Sequence, residues 1–431
     1  MDDKKSEVLR DNDKKLWFRI LCTYLVTVCI GIVLLIFASM FRQDLIDKHI
    51  SESVSVFEEE GQYPRNGDKE ATSVLNNFTD ALILEESAVM QFSQLESIFT
   101  NPLFFSTNPV DIFLDFATNR DTLAETAKYV RYWQGFRIPI RILLTFANYS
   151  EIRLILSWTI LLLFVGSALF LCNHTDIRTA IAFAISIIFI KPQVICNSVQ
   201  YSCCFILAMI FLFFVPWVIE RHLEILFFFT CGMVTMFFDF YTAPLITLGY
   251  SLIFLILLKT QRKVLIKESI GYSFVWILGY GIMWITKLLL ATVFTEVNGF
   301  VNGFNSFAQR TGINKRDDLI QYYNFSSMVK HFLNTVFNNQ VIISITVLIF
   351  FVLFVAMSYS VVKRLEARNQ IRIYSSLLIP VAFMIIWYCI SIQPTRIHAY
   401  FQYRNISMAI WGLIMFLSIP IKPIKNLGKE I

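Results

Sequence analysis

The sequence predicts an all-α polytopic membrane protein with about ten transmembrane helices and a large first extracytoplasmic loop. Of its 431 residues, 56% are hydrophobic and 16% are charged, and the mean hydropathy is +0.59. A soluble domain carries more charge and less apolar surface. Apolar stretches close to the roughly twenty residues that cross a bilayer recur along the chain. Between the first two of them lies a polar, carboxylate-rich segment, residues 42–151.

The first apolar stretch, residues 20–41, predicts the first transmembrane helix. It has no small-residue cleavage site, so we expect it to be retained as a signal anchor. The preceding segment, residues 1–19, is basic, which favours a cytoplasmic N-terminus. Its basic residues are Lys4, Lys5, Arg10, Lys14, Lys15 and Arg19.

The remaining apolar stretches place transmembrane helices 2–7 within residues 152–294 and helices 8–10 within residues 341–421. Residues 295–340 form a second extracytoplasmic loop, and residues 422–431 a cytoplasmic C-terminus. The predicted spans begin near Ile20, Leu154, Ala180, Cys203, Ile225, Ala243, Ile270, Val341, Ser375 and Ile406. The inner loops Lys259–Lys267, Lys363–Arg372 and Lys422–Lys429 carry four, four and three Lys/Arg. This enrichment agrees with the orientation. A total of nine or eleven spans is also possible, because the third, fifth and tenth predicted spans are short or interrupted.

The large first loop divides into three parts. Residues 51–69 are charged and predict a flexible segment. Residues 73–97 have helical spacing of apolar residues, and the Asn-Asn-Phe-Thr-Asp run at 76–80 predicts its N-terminal cap. Aromatic, aliphatic and arginine residues interleave over 129–148, which predicts an interfacial amphipathic helix beside the second span.

Several classes of function lack support in the sequence. The eight cysteines lie in or beside apolar stretches and show no metal-ligand spacing, so we predict no disulfide framework and no metal site. Nucleotide-binding and common hydrolase motifs are absent from the sequence. The net charge of +5 comes from short basic loops and does not indicate nucleic-acid binding. We expect no cofactor.

Carboxylates at the predicted outer surface are the candidate catalytic residues. Asp239 lies among phenylalanines between two spans, where a carboxylate is costly unless it is paired or functional. Asp80 opens the predicted loop helix, and Glu85, which follows on a later turn, is a candidate substrate-binding residue. Either aspartate could be a general base with a pKa tuned by partial burial. The alternative is that Asp239 only caps a helix or pairs with an arginine, and that Asp80 only caps its helix.

Basic residues near the outer surface are the candidate substrate-binding residues. Lys287 lies inside the seventh span, and Arg396, His398 and Arg404 precede the last one. Arginine and lysine at this depth suit a phosphate group. The alternatives are a lysine that extends to the membrane surface and an ordinary interfacial belt of anchoring residues.

The architecture resembles the GT-C superfamily of membrane glycosyltransferases. Local patterns also resemble bacterial membrane proteins of cell-surface polysaccharide loci, of the serotype-converting glucosyltransferase type. These patterns are Asn77–Leu82, Arg131–Gly135 with Trp133, Phe238–Leu245, Gly281–Trp284 with Lys287, and His398 with Tyr403-Arg404. In GT-C enzymes the base is typically an acidic residue of the first outer loop, which favours Asp80. Relatives carry histidine where this chain has Gln134, so the resemblance gives that position no catalytic role.

The resemblance implies transfer of a sugar from a polyprenyl-phosphate carrier to a surface glycan, a teichoic-acid-like polymer or a lipid-linked acceptor at a bacterial plasma membrane. Asp80 or Asp239 would then be the base. Lys287, Arg404 and His398 would neutralise the phosphate, while Arg131 and Trp133 would position the headgroup or the acceptor. A flippase or exporter of lipid-linked glycans, or a polysaccharide polymerase, remains an alternative. The flippase is less favoured because the middle spans hold few charged residues apart from Lys287.

Overall fold

The computed structural model is almost entirely helical and describes residues 2–90, 95–104, 109–118, 126–239, 241–259, 265–313, 324–337 and 375–418. Within these residues four helical segments are long and apolar enough to cross a membrane. They are Lys14–Ser39, Tyr149–His174, Val199–Glu220 and Leu265–Phe294. The chain is thus a helical membrane protein, as its hydropathy predicts, with a small two-stranded sheet in the large loop.

The described residues form twenty α-helices and two strands. The helices of the first half are α1 Asp2–Ser39, α2 Gln43–Glu52, α3 Val54–Glu60, α4 Asn77–Ala88, α5 Leu95–Phe99, α6 Pro109–Thr118, α7 Arg137–Leu143, α8 Tyr149–His174, α9 Ile177–Phe189 and α10 Pro192–Cys196. Those of the second half are α11 Val199–Glu220, α12 Glu224–Phe238, α13 Leu245–Leu258, α14 Leu265–Phe294, α15 Gly299–Thr311, α16 Phe325–Phe337, α17 Ile379–Ile390, α18 Ile392–Ile397, α19 Ala399–Gln402 and α20 Ile406–Leu417. The strands are β1 Asn101–Phe104 and β2 Thr126–Tyr129.

Each predicted span that falls within the described residues coincides with an apolar helix, from α1 to α20. Several of these helices are shorter than a bilayer is thick, among them α9 and α12. The number of spans therefore stays a prediction. The eighth predicted span, from Val341, and the predicted inner loops Lys363–Arg372 and Lys422–Lys429 lie outside the described residues.

The apolar core is divided into three clusters. The largest lies among α8, α9, α11, α13 and α20, and another fills the large loop beneath α4. A third joins α1, the large loop, α12 and α14. In that region α12 and α14 pack backbone to backbone, because a Cβ on Gly232 or Gly279 would lie 2.1 Å from a carbonyl oxygen of the opposite helix. Such close approach without side chains between the helices is typical of membrane helix pairs.

Helix α4 is the centre of the large loop. It is buried on nearly every side, and Asn76 caps it by accepting a hydrogen bond from the backbone N–H of Thr79. The predicted helix and its cap are therefore confirmed, although it ends at Ala88 rather than near residue 97. The segment predicted to be flexible, residues 51–69, instead contains the end of α2 and all of α3.

The interfacial helix predicted over residues 129–148 is wrong. Residues 126–129 pair with β1 as an antiparallel strand, and only Arg137–Leu143 is helical before α8 begins. Arg137 and Arg141 of this segment are buried and Arg131 is half-buried, rather than spread along a membrane surface. Arg141 donates to the carbonyls of Ala38 and Ser87. The Arg141 guanidinium thereby binds carbonyl groups at the C-terminal ends of α1 and α4, which have no partner within their own helix.

The helical path is interrupted after α9, where the backbone changes direction. Lys191 has a left-handed backbone conformation (φ 57°), and Pro192 opens the short helix α10. The Lys191 ammonium lies 2.8 Å from Asp68 and 2.5 Å from Glu70 in the large loop. This ion-pair cluster joins the interrupted third span to the loop.

Candidate functional site

A polar cavity of about 300 Å³ lies where the large loop, the segment after residue 295 and the segment before α20 meet. No aspartate or glutamate belongs to its lining among the residues that the structure describes. The lining residues are Asn76, Phe78, Thr79, Leu82, Arg131, Tyr132, Gln200, Tyr241, Ser306, Gln309, Arg310, Gln393, Pro394, His398 and Phe401. Positive charge and neutral hydrogen-bonding groups therefore dominate this cavity.

An apolar cavity of about 240 Å³ adjoins the polar one. It lies between α14, α15 and α17, and Trp284, Phe307 and Trp387 contribute much of its wall. Ile277 and Ile390, also in its lining, are about half exposed on the outside of the helices. The two cavities share five residues, namely Arg131, Tyr132, Tyr241, Ser306 and Arg310. Two guanidinium groups thus lie where a polar chamber meets an apolar one.

The two shared arginines are held by neutral partners. Arg131 donates to the Ser306 hydroxyl at 2.7 Å, and Arg310 donates to the Tyr132 hydroxyl. Neither arginine forms an ion pair with a carboxylate in the described part of the chain. Burial lowers the pKa of Arg310, and the nearby charge of Arg131 adds to this effect. Like charges held close together create a potential that an anion such as phosphate would relieve.

Tyr241 supplies the third side of this junction. Its backbone adopts a left-handed conformation (φ 61°), which is uncommon for a bulky residue and clusters at functional sites. The side-chain amide of Gln402 donates to the Tyr241 carbonyl at 3.0 Å. The Arg310 guanidinium lies 5.0 Å from the Tyr241 ring centre, so the ring fixes the arginine by a cation–π contact.

His398 borders the polar cavity from the segment between α18 and α19. Its ring stacks on Phe401, with ring centres 4.9 Å apart. Its Nδ1 atom is buried and has no hydrogen-bond partner among the described residues. Burial, together with the charge of Arg310, lowers the pKa of His398 to about 4. The imidazole is consequently neutral at physiological pH, whereas the sequence predicted a residue that would neutralise phosphate.

Asp80 lies behind the wall of the cavity and does not line it. Its carboxylate accepts hydrogen bonds from the backbone N–H groups of Val199 and Gln200, both at 2.9 Å, and from the Tyr149 hydroxyl at 2.7 Å. Burial raises the pKa of Asp80, and these hydrogen bonds lower it. The contacts are those of a buried cap on the N-terminus of α11.

Asp239 also lies outside both cavity linings. It follows α12 and is almost completely buried. The Cys204 thiol donates to its Oδ1 at 2.7 Å, and the backbone N–H of Thr242 donates to the same atom at 3.1 Å. These bonds hold the turn that presents Tyr241. The catalytic roles of both aspartates stay predictions.

Lys287 and Trp133 belong to a buried polar cluster below the large loop. The Lys287 ammonium donates to the Phe99 carbonyl at 2.5 Å, and the Trp133 indole donates to the Met283 carbonyl at 2.8 Å. Neither residue lines either cavity. Lys287 therefore points into the protein rather than into lipid, and Trp133 serves the packing of α14 against the loop.

The same cluster holds two adjacent glutamates. Glu86 accepts from the Gln134 amide at 2.9 Å, and burial raises the pKa of its carboxyl to about 8 against the charges of Arg137 and Lys287. The Glu85 carboxylate has no hydrogen-bond partner among the described residues, and burial raises its pKa well above the usual range. Glu85, predicted to bind substrate, does not line the polar cavity.

Arg404 and Arg396 are also placed away from the junction. Arg404 is fully buried, donates to the carbonyls of Tyr400 and Thr72, and lies over the Tyr201 ring at 4.3 Å. Arg396 donates to the Ser327 carbonyl at 2.8 Å and thereby joins α18 to α16. Of the predicted substrate-binding residues, Arg131 and His398 are the two that line the polar cavity.

Sequence reasoning missed Arg310, Tyr241 and the polar residues beside them. Arg310 lies in the last turn of α15, a helix with one apolar face in the second loop. That pattern, an arginine ending an amphipathic segment beside a span, is the signal that could have found it. Tyr241 lies within the Phe238–Leu245 pattern, but its role could not be read there because it arises from contacts with Arg310 and Gln402.

Comparison with protein-family models, with curated proteins and with solved structures finds no match to this chain. Within the described residues, no group of three or more His, Cys, Asp or Glu side chains is placed to hold a metal ion. The fold and the paired cavities define a helical membrane protein with a cationic junction between a polar and an apolar chamber. Its function has to be argued from that junction.

Proposed function

We propose that this protein is a membrane glycosyltransferase that moves a sugar from a polyprenyl-phosphate carrier to a glycan or lipid-linked acceptor. One observation carries the proposal: a polar and an apolar cavity adjoin, and Arg131 and Arg310 belong to both linings. A polyprenyl-phosphate sugar has the same three parts in the same order, namely an apolar tail, an anionic phosphate and a polar sugar.

Each part of such a donor has a counterpart of matching chemistry. The isoprenoid tail would lie against Trp284 and Phe307 and leave toward the lipid between half-exposed Ile277 and Ile390. The phosphate would accept charge-assisted hydrogen bonds from Arg131 and Arg310. The sugar and the acceptor would occupy the polar cavity, where amides such as Gln309 and Gln393 can bind hydroxyl groups.

The proposed chemistry needs little from the protein beyond orientation and charge. The phosphate is already a good leaving group, and fixed guanidinium groups stabilise the charge that grows on its oxygen as the bond to the sugar breaks. Holding donor and acceptor together in one small cavity removes much of the entropic barrier. The reaction would take place on the outer face of a bacterial plasma membrane, with both termini in the cytoplasm.

Lipid binding by purified full-length protein tests the donor site. A fluorescent polyprenyl phosphate should bind the wild type, while the matching polyprenol without phosphate and a short alkyl phosphate should bind far more weakly. Arg131→Gln and Arg310→Gln should each weaken binding about 10- to 100-fold, as expected for loss of one charge-assisted contact. Arg42→Gln is the matched control, because Arg42 is exposed and bonded only to nearby Asp44 among the described residues.

Sugar release separates the proposed transferase from its alternatives. The wild type in lipid nanodiscs, given polyprenyl-phosphate sugars and a membrane extract as acceptor, should produce free polyprenyl phosphate and a glycosylated product. Unchanged lipid binding by both arginine variants would overturn the proposal. Binding followed by movement of an intact lipid-linked glycan across a bilayer, with no sugar release, would instead identify an exporter.

A further inference from the structure

The polar cavity contains one side chain with the chemistry of a base at neutral pH. Among its described lining residues, the two arginines are permanent cations, and the amides and hydroxyls of Gln200, Gln309 and Ser306 do not accept protons at physiological pH. The only other titratable groups in that lining are the phenols of Tyr132 and Tyr241, and burial raises the pKa of Tyr241. His398 remains.

We propose that His398 is the general base of the transfer, an inference that rests on the proposed function. Its imidazole would take the proton from the acceptor hydroxyl while that oxygen attacks the anomeric carbon of the donor sugar. The new bond joins that carbon to the acceptor oxygen, and the bond from the carbon to the phosphate oxygen breaks. The electron pair stays on the phosphate, beside Arg131 and Arg310, and the proton on His398 passes to solvent.

The placement of His398 supports this role. Its ring is oriented by stacking on Phe401, and its buried Nδ1 atom has no partner among the described residues. Because Nδ1 has almost no accessible surface, an acceptor hydroxyl in the cavity would meet the other ring nitrogen, Nε2, whose lone pair is free when the ring hydrogen is on Nδ1. Because burial and the Arg310 charge keep the pKa of His398 near 4, its lone pair is available at neutral pH.

The two predicted aspartates are placed less favourably for this step. Both are absent from the cavity lining, and both hold backbone N–H groups of the fold. A proton acceptor must come within hydrogen-bond reach of the hydroxyl that it deprotonates. His398 lies in the wall of the cavity that the acceptor would occupy.

The test compares His398→Gln with the matched control His331→Gln in full-length protein. His331 is exposed on α16, the helix that packs against α18 and α19. With polyprenyl-phosphate sugars and a membrane extract, kcat of His398→Gln should fall about 10²- to 10⁴-fold, as for other lost bases. KM for the donor should change little, and His331→Gln should behave as the wild type. Imidazole in the buffer should restore part of the turnover of His398→Ala.

The outcomes separate this inference from the proposed function. Transfer by the wild type together with undiminished kcat in His398→Gln overturns the role of His398 and leaves the transferase standing. Absence of transfer by the wild type from every donor overturns both. If His398→Gln no longer binds fluorescent polyprenyl phosphate, the imidazole experiment on His398→Ala decides. If His398→Ala binds the lipid but imidazole does not restore its sugar transfer, the inference is contradicted.

Discussion

Asp80 accepts a hydrogen bond from the backbone N–H of Gln200, 120 residues later in the chain, at 2.9 Å. With Val199 bonded to the other carboxylate oxygen, this residue of the large loop caps the N-terminus of a membrane helix. The resemblance to GT-C enzymes implies that Asp80 is a base. Its hydrogen bonds to the backbone of α11 indicate instead that it stabilises the fold. The two roles predict different behaviour in a substituted protein.

Asp80→Asn should therefore lower stability more than it lowers turnover per folded molecule. Loss of one acceptor leaves a helix N–H group buried without its partner, at a cost of about 1 to 3 kcal/mol. The melting temperature and the specific transfer rate of purified protein check this. If Asp80→Asn melts at the temperature of the wild type but transfers sugar at least about 100-fold more slowly, as expected for a missing base, Asp80 has the catalytic role. Asp239→Asn can be tested in the same way.

Gly135→Ala should destabilise the docking of the large loop on α12. The Gly135 N–H donates to the Phe237 carbonyl at 2.8 Å, and an added Cβ would lie 2.4 Å from the Phe237 ring and 2.7 Å from its carbonyl oxygen. The melting temperature should fall. Gly271→Ala is the control: its Cβ would contact nothing within 4 Å, and alanine should stabilise that helix by up to about 1 kcal/mol. Equal melting of the two variants would contradict the contact.

Glu86 should make the protein less stable as the pH rises. The folded protein keeps the Glu86 proton up to about pH 8, whereas an unfolded glutamate loses it near about pH 4.3. Between these values the folded state binds more protons, so the free energy of unfolding falls with increasing pH. Glu85, Arg137 and Lys287 are the charged groups around this carboxyl.

Glu86→Gln should reduce that decline, and the part that remains is expected from Glu85, whose pKa burial also raises. Its melting temperature should exceed that of the wild type at about pH 9 by more than it does at about pH 5. Thermal unfolding in a buffer series, followed by tryptophan fluorescence, provides the measurement. Melting curves whose separation stays constant across this range would show that Glu86 titrates normally in the folded protein.

Lys287→Met should lower stability without weakening lipid binding. The substitution removes the hydrogen bond to the Phe99 carbonyl, worth about 1 to 3 kcal/mol when a charged donor is lost, and Lys287 lies outside both cavities. Lys330→Met, an exposed lysine on α16, is the control. If Lys287→Met melts normally but binds polyprenyl phosphate more weakly, the phosphate contact predicted from the sequence is correct and the cavity assignment is incomplete.

Topology can be checked independently of activity. A reporter that works only outside the cytoplasm should be active when inserted between α2 and α3 or after α15, and inactive at residues 260–264 or at the C-terminus. The charge bias of the short loops is the physical reason. Activity at the C-terminus would mean an odd number of spans and would reverse the side assigned to the segment before the last span.

Local patterns in the sequence predict the helices well and the site poorly. Apolar runs place α8, α11 and α14 within a few residues, and Asn76 is a readable cap. The segment 129–148 fails because its arginines find carbonyl partners at distant helix ends, such as Ala38 and Ser87. No periodicity encodes such contacts. The junction is missed for the same reason, since Arg131 and Arg310 come together only in three dimensions.

The break at Lys191 has a consequence for how the chain is assembled. Asp68 and Glu70 are synthesised more than a hundred residues before the lysine that binds them, as their separations of 123 and 121 residues show. During translation the loop must wait for this cation before its edge can close. Since domains tend to fold as they emerge from the ribosome, a nascent chain ending before residue 191 should retain a protease-sensitive loop. The start of α10 thus fixes, late in synthesis, a loop that was synthesised much earlier.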